Sequence, residues 1–367
     1  MKYVISFLTV FLVILSIIGV IFVYSSSYCL AYKLHNDNFY YVYKQIIGFI
    51  LAYLLTFVIS NIKKQIFINY ASVFFVITLS FCLLPHMPVI GVMLNGAKRW
   101  INCFFFIAQP IEIFKPFFIV MCAKFFIKQY FQPHRMLIGF IIISFVTSVV
   151  LLLQPDYGQM IILLTTGFLM FVSTQKNIKM IVSISFIGSI ILGALALAKP
   201  YRIKRILIFL NPFDDPQGKG FQIIQSLIAI SKGGFWGCGI GYSQQKVSYL
   251  PMQHTDFIFS IICEEIGIFG GIIIVGFFII IATVLCYISM RIKDPCSSLI
   301  VLGISYMFLI QSGINILVAT ASLPTKGIGL PLISYGISSL IGYGICFGIV
   351  YLCINDDKKN KYYEYLT

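Results

Sequence analysis

Long apolar segments recur along this chain and constrain its fold more than any other feature. Each has about the 17–25 residues that an α-helix needs to cross the hydrocarbon core of a bilayer. They lie near residues 4–24, 44–60, 66–84, 110–128, 136–153, 158–174, 178–198, 256–289, 298–320 and 332–353. The eighth run is long enough to tilt or to contain a break. The runs are continuous and do not alternate in polarity, which argues against a membrane β-barrel.

The amino-acid composition is also typical of a membrane protein. Charged residues make up 10% of the 367 residues, and hydrophobic residues make up 59%. A soluble domain needs about a quarter of charged residues to cover its surface. We therefore predict an all-α polytopic membrane protein with about ten transmembrane helices. Residues 1–355 are expected to form one transmembrane domain, and residues 356–367 a polar cytoplasmic tail.

Lysine and arginine in the short loops predict the orientation, because they favour the cytoplasmic side. With the N-terminus inside, the cytoplasmic ends and loops hold the larger set, which is Lys2, Lys63, Lys64, Lys124, Lys128, Arg135, Lys176, Lys179, Arg291, Lys293, Lys358, Lys359 and Lys361. The short outside loops hold the smaller set, which is Lys33, Lys44, Lys98, Arg99 and Lys326. Both termini are therefore predicted to be cytoplasmic. No clean Ala-x-Ala type site follows the first helix, so we do not expect signal-peptide cleavage.

One long outside segment, residues 199–254, then joins the seventh and eighth helices. Its basic residues are Lys199, Arg202, Lys204, Arg205, Lys219, Lys232 and Lys246. A basic surface beside lipid headgroups suggests an anionic partner. Basic residues are not interleaved with base-stacking aromatics, so we do not expect nucleic acid as a partner.

The 10 cysteines show no metal-binding or redox spacing. Most of them fall within the apolar runs, where cysteine behaves as a small core residue. In this topology Cys29, Cys103 and Cys238 face outside. A disulfide between two of them stays open.

The segment YLPMQHTDFIFSIICEEIGIFGG, residues 249–271, brings acidic groups into apolar surroundings. Thr255 or Asp256 would begin a helix here, and either side chain can serve as its N-cap. The alternative is that Asp256 is a general base, with a pKa set by apolar walls and by His254 beside it. The residues alone leave both interpretations open.

Two further glutamates, Glu264 and Glu265, follow in the same predicted helix. At 1.5 Å per residue they lie about 12–14 Å beyond Asp256, too deep to share its role. Burying a charge in a membrane segment costs several kcal/mol unless it is paired. We therefore expect at least one of them to be structural, bound to backbone or to a basic partner.

The stretch LNGAKRWINCFFFIAQPIEIFKPFF combines an outside loop with the start of a helix. Lys98, Arg99 and Trp100 lie in the loop, where an interfacial Trp is common without any special function. Glu112 and Lys115 share one helix face at i, i+3 and would neutralise each other. The alternative is that Lys115 faces a cavity and binds a phosphate as a point charge.

Two irregular passages complete the outer side. Gln-Pro-Asp-Tyr-Gly places Asp156 in a tight turn between two membrane helices. The passage SLPTKGIGLPLISYGISSL, residues 322–340, carries Lys326 and too many Pro and Gly residues for a helix, and irregular backbone at membrane depth is tolerated where it lines a cavity. The topology thus collects Lys98, Arg99, Lys115, Asp156, Asp256 and Lys326 on one side. We expect a ligand with an anionic head and a lipid tail.

Six segments, in order, resemble the motifs of the SEDS family (shape, elongation, division and sporulation) of bacterial cell-wall polymerases. They are NGAKRW, QPIEIFK, QPDYG, NPFDDPQGKGFQIIQSLIAISKGG, PMQHTDFIFSIICEEIG and LPTKGIGLPLISYGISSL. The resemblance covers residues 4–353. The spellings LPTKG and YLPMQHTDFIF are closer to the cell-division members than to the elongation members.

The resemblance implies a ten-helix membrane glycosyltransferase that polymerises lipid II on the outer face of the bacterial inner membrane. It also implies a class B penicillin-binding transpeptidase and other divisome membrane proteins as partners, at the division septum. The family's essential Asp falls on Asp256, and its motif residues fall on Lys115, Asp156 and Lys326.

We extend this to a full set of candidate site residues. The candidate substrate contacts are Lys98, Arg99, Trp100, Lys115, Asp156, His254 and Lys326. The candidate supporting residues are Glu112, Glu264, Glu265 and Ser334. We expect no protein metal site, and a divalent cation (Mg²⁺ or Mn²⁺) at the pyrophosphate is the one cofactor left open.

Three departures from the family pattern concern packing near these residues. Ile111 stands where Ser is usual, Ile337 replaces the second Gly of YGGSS, and Met252 stands where an acid is common before His-Thr-Asp. None of them removes a charged candidate. The alternatives to a division polymerase are an elongation-type polymerase, a lipid II flippase that uses Glu112, Glu264 and Glu265, and a non-catalytic division scaffold. A flippase would predict an inverted repeat, which the sequence does not show.

Overall fold

The computed structural model describes residues 2–94, 96–103, 106–175, 177–197, 203, 207–218, 220–246 and 250–366. Several basic residues singled out above lie outside this range: Lys176, Lys199, Arg202, Lys204, Arg205 and Lys219. Most of the predicted basic outer surface is among them. The side chains of Lys358, Lys359 and Lys361 also lie outside the description.

The fold is a bundle of helices with one small sheet. The helices are α1 (Lys2–His35), α2 (Tyr40–Ser60), α3 (Lys64–Asn69), α4 (Ala71–Phe81), α5 (Pro110–Lys128), α6 (Pro133–Leu153), α7 (Tyr157–Thr174), α8 (Ile178–Leu197), α9 (Phe221–Gly233), α10 (Ile258–Arg291), α11 (Pro295–Ala319) and α12 (Ile337–Leu366). The strands are β1 (Gly91–Leu94), β2 (Ala97–Asn102) and β3 (Ile107–Ala108).

Each predicted apolar run overlaps a described helix. Of the described helices, 7 are long and apolar enough to cross a membrane: α1, α2, α6, α7, α10, α11 and α12. Large apolar side chains cover their outer faces, as at Phe57 and Ile50, which are 71% and 60% exposed. Such an exterior is stable in lipid and not in water. The chain is an integral membrane protein.

The structure corrects several boundaries. The first helix continues to His35, well past residue 24. The third run is two helices, α3 and α4, with an interruption at Tyr70. The last helix starts at Ile337 rather than 332 and continues to Leu366, so residues 356–366 extend α12 instead of forming a separate segment.

The predicted loop of residues 85–109 contains the sheet. The strand order is β1-β2-β3 with antiparallel pairing, and the register shifts between Val92 and Met93. Asn95-Gly96 is a strong hairpin signal in the sequence, and Gly96 has a φ of 74°. The sheet aims the residues of β2 in fixed directions, which a mobile loop would not do.

Small residues allow α2 and α12 to pack closely. A Cβ added to Gly344 would lie 2.5 Å from the carbonyl oxygen of Ala52. The Thr56 hydroxyl donates to the Gly344 carbonyl oxygen at 2.9 Å. Helices in membranes associate through such close backbone approach and hydrogen bonds, because lipid supplies no hydrophobic driving force between them. This seam supports the irregular passage that precedes α12.

Helix α10 contains the break that its length allows. Gly267 has φ 74° and ψ 177°, outside the helical region. The helix carbonyls before the break are not orphaned, because the N–H groups of Cys238 and Gly239 donate to the carbonyl oxygens of Glu264 and Glu265 at 3.0 and 2.9 Å. The turn after α9 thus completes the hydrogen bonding of the broken helix, as buried irregular backbone requires.

Residues 199–254 are therefore more than a surface loop. Helix α9 packs on α10, and the segment behind it places Ser243, Gln245 and Lys246 in the interior. The expectation that Lys246 belongs to an exposed basic surface is wrong. Lys232 does remain exposed, and its Nζ donates to Gln244 Oε1 at 2.8 Å.

Candidate functional site

Asp256 lies just before α10 and does not cap it. The N-cap residue is Phe257, and no side chain bonds the first helical N–H groups. The N-cap interpretation of Thr255 and Asp256 is therefore wrong. The Asp256 carboxylate accepts no hydrogen bond from any residue that the structure describes. Such a group is available to take a proton from a ligand.

The electrostatic setting of Asp256 suits a base. Its side chain is half-buried against the backbone of Gly327, where an added Cβ would lie 3.4 Å from Asp256 Oδ2. Burial raises the pKa of Asp256 to about 7, and the positive charge of Arg99 opposes this rise. A general base works best with a pKa near the operating pH. The carboxylate thus both accepts and releases protons under physiological conditions.

The segment that carries Asp256 is tied to the passage between α11 and α12. The Ser334 hydroxyl donates to the Thr255 carbonyl oxygen at 2.5 Å. The Tyr335 N–H donates to the His254 carbonyl oxygen at 2.9 Å. Ser334 thus supports the site through the backbone beside Asp256.

The sequence suggested that His254 helps to set the pKa of Asp256. In the structure it does not do so through its charge. Its ring packs on Tyr41 and Tyr335, with centroids 4.8 and 5.6 Å away. Burial lowers the pKa of His254 to about 4, so it is neutral at physiological pH. The rise in the pKa of Asp256 comes from burial, and the opposing charge comes from Arg99.

Arg99 connects the sheet to the turn between α6 and α7. Its Nε donates to the Gln154 carbonyl oxygen at 3.2 Å, and a second nitrogen donates to the Pro155 carbonyl oxygen. Its Nη1 lies 3.6 Å from Asp156 Oδ1. The flanking residues differ, since Lys98 is exposed and Trp100 is half-buried.

Asp156 is a buried N-cap. Its Oδ1 accepts from the Gln159 N–H at 3.4 Å, and its Oδ2 accepts from Gln109 Nε2 at 3.1 Å. Burial raises the pKa of Asp156, whereas the charge of Arg99 lowers it. Asp156 therefore caps α7 and also lies beside the Arg99 guanidinium, so two of the predicted site residues, Arg99 and Asp156, are in contact.

Glu112 and Lys115 neutralise each other, as their spacing predicts. Lys115 Nζ lies 2.6 Å from Glu112 Oε2 and donates to Gln311 Oε1 at 2.8 Å. Both side chains are buried, with Lys115 only 1% exposed. In this arrangement Lys115 is not open to a phosphate, so the structure favours the ion pair over the point-charge alternative.

Glu264 and Glu265 are both paired, in the two ways that the sequence predicted. Glu264 accepts from the Ser243 hydroxyl and from the N–H groups of Gln244 and Gln245, at 3.0 and 3.4 Å for the latter two. Glu265 forms an ion pair with Lys246 at 2.8 Å. Its Oε1 also accepts from the hydroxyl of Ser25 on α1 at 2.5 Å.

The glutamate cluster continues to the segment of Asp256 through Gln253. The Gln253 amide donates to the carbonyl oxygens of Ser26 and Lys246 at 2.7 and 2.8 Å. Gln253 lies three positions before Asp256 along the chain. The buried pairs thus anchor the segment on which the candidate base lies.

Sequence reasoning missed several buried amides, among them Gln45 on α2 and Gln311 and Asn315 on α11. Gln45 Nε2 donates to the Ser334 carbonyl oxygen at 3.2 Å. Gln311 donates to the Gly329 carbonyl oxygen at 3.1 Å. A signal existed, because Gln311 and Asn315 share one face of an apolar helix at i, i+4, where an amide needs a partner.

The remaining candidates are less constrained. Lys326 is half-buried in the passage between α11 and α12. The 10 cysteines, including Cys29, Cys103 and Cys238, are free thiols. In the described part of the chain, no three His, Cys, Asp or Glu side chains come together as a metal site. The described residues therefore do not fit a divalent cation held by protein ligands alone.

Comparison with known proteins decides the family. The model of the cell cycle protein family that comprises FtsW, RodA and SpoVE matches residues 5–359. The chain belongs to this family. The match confirms the resemblance seen in the sequence motifs and spans nearly all of the chain.

Members and a solved structure agree with this assignment. The chain is 40% identical to the probable peptidoglycan glycosyltransferase FtsW of Buchnera aphidicola, over 86% of this chain and 91% of that protein. It is 34% identical to stage V sporulation protein E of Bacillus subtilis, over 97% of each. Its fold matches a chain of a peptidoglycan synthase complex that coordinates polymerization and crosslinking, with a TM-score of 0.77, 26% identity, and coverage of 95% of this chain and 97% of that one.

Proposed function

We propose that this chain is a peptidoglycan glycosyltransferase that polymerises lipid II into glycan strands, with Asp256 as its general base. The observation that carries the proposal is the Asp256 carboxylate. It lies among residues of the family motifs, accepts no hydrogen bond from the described residues and has its pKa raised to about 7 by burial. Membership of a family whose relatives are named peptidoglycan glycosyltransferases supports the same reaction.

The chemistry needs one base at the membrane surface. The 4-hydroxyl oxygen of the acceptor sugar attacks the anomeric carbon of the donor and forms the new glycosidic bond. The bond from that carbon to the pyrophosphate oxygen breaks, and undecaprenyl pyrophosphate leaves with the electron pair. Asp256 takes the hydroxyl proton as the attack proceeds and later releases it to water. A raised pKa makes the carboxylate a stronger proton acceptor than an ordinary Asp.

Positive charge near the departing pyrophosphate stabilises the transition state. Arg99 is the cation that acts on Asp256, and it keeps part of its side chain exposed at 21%. Lys98 is exposed, so an anionic head group can reach it, and Lys326 is half-buried in the passage between α11 and α12. Lys115, which is buried and paired, acts as a support for this region.

The proposed setting is the outer face of the bacterial inner membrane, with ten spans and both termini cytoplasmic. A class B penicillin-binding transpeptidase is the proposed partner, and the match to a peptidoglycan synthase complex supports it. We assign the chain to septal synthesis in cell division on its LPTKG and HTDFIF motifs. Overall identity does not separate the roles, since a sporulation member is 34% identical.

The decisive experiment measures glycan polymerisation from labelled lipid II by the purified full chain with its cognate transpeptidase. Wild type should form polymer, and Asp256→Asn should lose about 10²–10⁴-fold in rate, the usual contribution of general base catalysis. The matched control is Asp214→Asn, which removes an exposed carboxylate before α9. Equal rates in wild type and Asp256→Asn would exclude Asp256 as the base, and no polymer from wild type would reject the proposed activity.

A further inference from the structure

Asn315 is a buried amide on α11 that joins the two segments forming the site. Its side chain is 1% exposed, and it shares one helix face with a second buried amide, Gln311. Its Nδ2 donates to the carbonyl oxygen of Asp256 at 2.8 Å and to that of Ile328 at 2.7 Å. Both protons of one amide are therefore used on irregular backbone, one on each segment.

The two accepting carbonyls lie on opposite sides of the candidate base. One belongs to Asp256 itself. The other belongs to Ile328, which follows the Gly327 that lies against the Asp256 carboxylate. The position of one side chain thus sets the distance between the base and the passage that carries Lys326. The amide is planar and rises from a regular helix, so it holds both carbonyls rigidly.

The rest of the amide argues against a role in stability alone. Asn315 Oδ1 is buried and has no hydrogen-bond partner among the described residues. Burying an unpaired polar atom costs free energy that an apolar residue would avoid. A neighbour shows the contrast, because among the described residues the hydroxyl of Ser312 bonds only carbonyl oxygens of its own helix, those of Phe308 and Leu309.

We propose that Asn315 is a positioning residue for the reaction: it fixes the Asp256 carboxylate relative to the Lys326–Ile328 segment. The inference rests on the proposed function and adds a residue that acts through Asp256 rather than on the substrate. Ser334 ties the same two segments at the neighbouring Thr255 carbonyl, so loss of Asn315 loosens the site without separating its walls.

The kinetic test compares Asn315→Ala with Ser312→Ala in the full chain with its transpeptidase partner. Misplacing a catalytic group by a fraction of an ångström to 1 Å lowers a rate by roughly 10–100-fold. Asn315→Ala should therefore lose about that factor in kcat per mole of folded protein, with little change in KM, while Ser312→Ala stays close to wild type. Equal kcat in Asn315→Ala and wild type would overturn the proposal.

The variant Asn315→Asp adds a readout that a structural role would not move. An ionised Asp cannot donate to either carbonyl and repels both, whereas a protonated Asp can still donate to one. The activity of Asn315→Asp relative to wild type should therefore fall as pH rises and the introduced carboxyl group ionises. A profile of the same shape as that of wild type would contradict the proposal.

A second measurement does not depend on activity. Amide hydrogen exchange in residues 252–258 and 326–336 should be faster in Asn315→Ala than in wild type or Ser312→Ala, because both segments lose one anchor. Unchanged exchange in both segments overturns the positioning role. Asn315→Ala could exchange faster while wild type makes no polymer. That result would reject the polymerase function but would support the structural link between the two segments.

Discussion

The acidic residues around the start of α10 differ in their burial and in the hydrogen bonds that they accept. Glu264 and Glu265 are fully buried, and each accepts hydrogen bonds from several donors, with Lys246 as the counter-ion of Glu265. Asp256, at the mouth of the same helix, is half-buried and its carboxylate accepts none from the described residues. The deep pair is held by donors and by a counter-ion, although Glu265 Oε2 itself has no partner among the described residues. The shallow carboxylate of Asp256 ionises with a pKa of about 7.

The difference shows how one segment combines rigidity with reactivity. A buried carboxylate that accepts hydrogen bonds from neighbouring segments, or is paired with a buried cation, holds those segments in place and is not accessible to a ligand. A carboxylate without donors is a better base, at a cost in stability of the folded state. The Glu264–Glu265 cluster anchors the backbone through Gln253. The free-energy cost of burying Asp256 without hydrogen-bond donors is therefore offset a few residues away.

The same contrast bears on the flippase alternative. A transporter of that kind would use Glu112, Glu264 and Glu265 as mobile charges inside the bundle. In the structure each of them is bound to a partner on another turn or another element. Nothing in this arrangement favours proton or substrate movement through the bundle over chemistry at its outer mouth.

The largest effect is expected when the ion pair between Lys246 and Glu265 is broken. Lys246→Met leaves the Glu265 charge buried without its counter-ion, which should cost about 3–5 kcal/mol of folding free energy. The measurement is the melting temperature in detergent, with Lys232→Met as the control that removes an exposed lysine of the same region. The double variant Lys246→Met with Glu265→Gln should recover much of the loss. A single variant as stable as wild type would show that the pair does not anchor this segment.

The next effect concerns the pH dependence of polymerisation. Asp256 must be ionised to accept a proton, and with a pKa of about 7 it is protonated below that pH. The rate should therefore rise about tenfold per pH unit below pH 7 and level off above it. Arg99→Gln should move this limb to higher pH, because the positive charge of Arg99 lowers the pKa of Asp256.

The control for that shift is Arg291→Gln, which removes the same charge at the far end of α10. Its pH profile should follow that of wild type. A wild-type limb near pH 4 would mean that Asp256 ionises like an ordinary carboxyl group. A limb that stays in place in Arg99→Gln would exclude Arg99 as the cation that tunes Asp256.

The smallest effect is on stability at the site itself. A carboxyl group with a raised pKa stabilises the folded protein below its unfolded pKa and loses that contribution as pH rises through about 7. Asp256→Asn removes the buried charge, so at pH 8 it should melt at a higher temperature than wild type. The gap should shrink at pH 5, where wild-type Asp256 is protonated.

Asp294 provides the control of opposite sign. Burial alone would raise its pKa, but the hydrogen bonds from Ser297 and the charge of Lys64 outweigh burial and lower it. Asp294→Asn should therefore melt at a lower temperature than wild type at pH 8. If both variants shifted the melting temperature in the same direction, the proposed difference between the carboxylates of Asp256 and Asp294 would be wrong.

The sequence by itself determined the apolar helices, the family and most of the charged residues of the site. Continuous apolar runs leave the backbone little choice, because in lipid each N–H and carbonyl group needs a partner within the helix. The i, i+3 spacing of Glu112 and Lys115 likewise predicts their ion pair from local geometry. Such features depend on neighbours within a few residues along the chain.

Tertiary structure decided what depends on residues far apart in sequence. The sequence predicts Lys246 to be a surface cation, but the fold places it beside Glu265. Asn315 is an isolated amide in the sequence, but the position of α11 places it against the carbonyl groups of Asp256 and Ile328. The sequence shows which residues can ionise or donate. Only the packed bundle decides which carboxylate is bound by donors and which accepts none from the described residues, because burial and the available donors come from other segments of the chain.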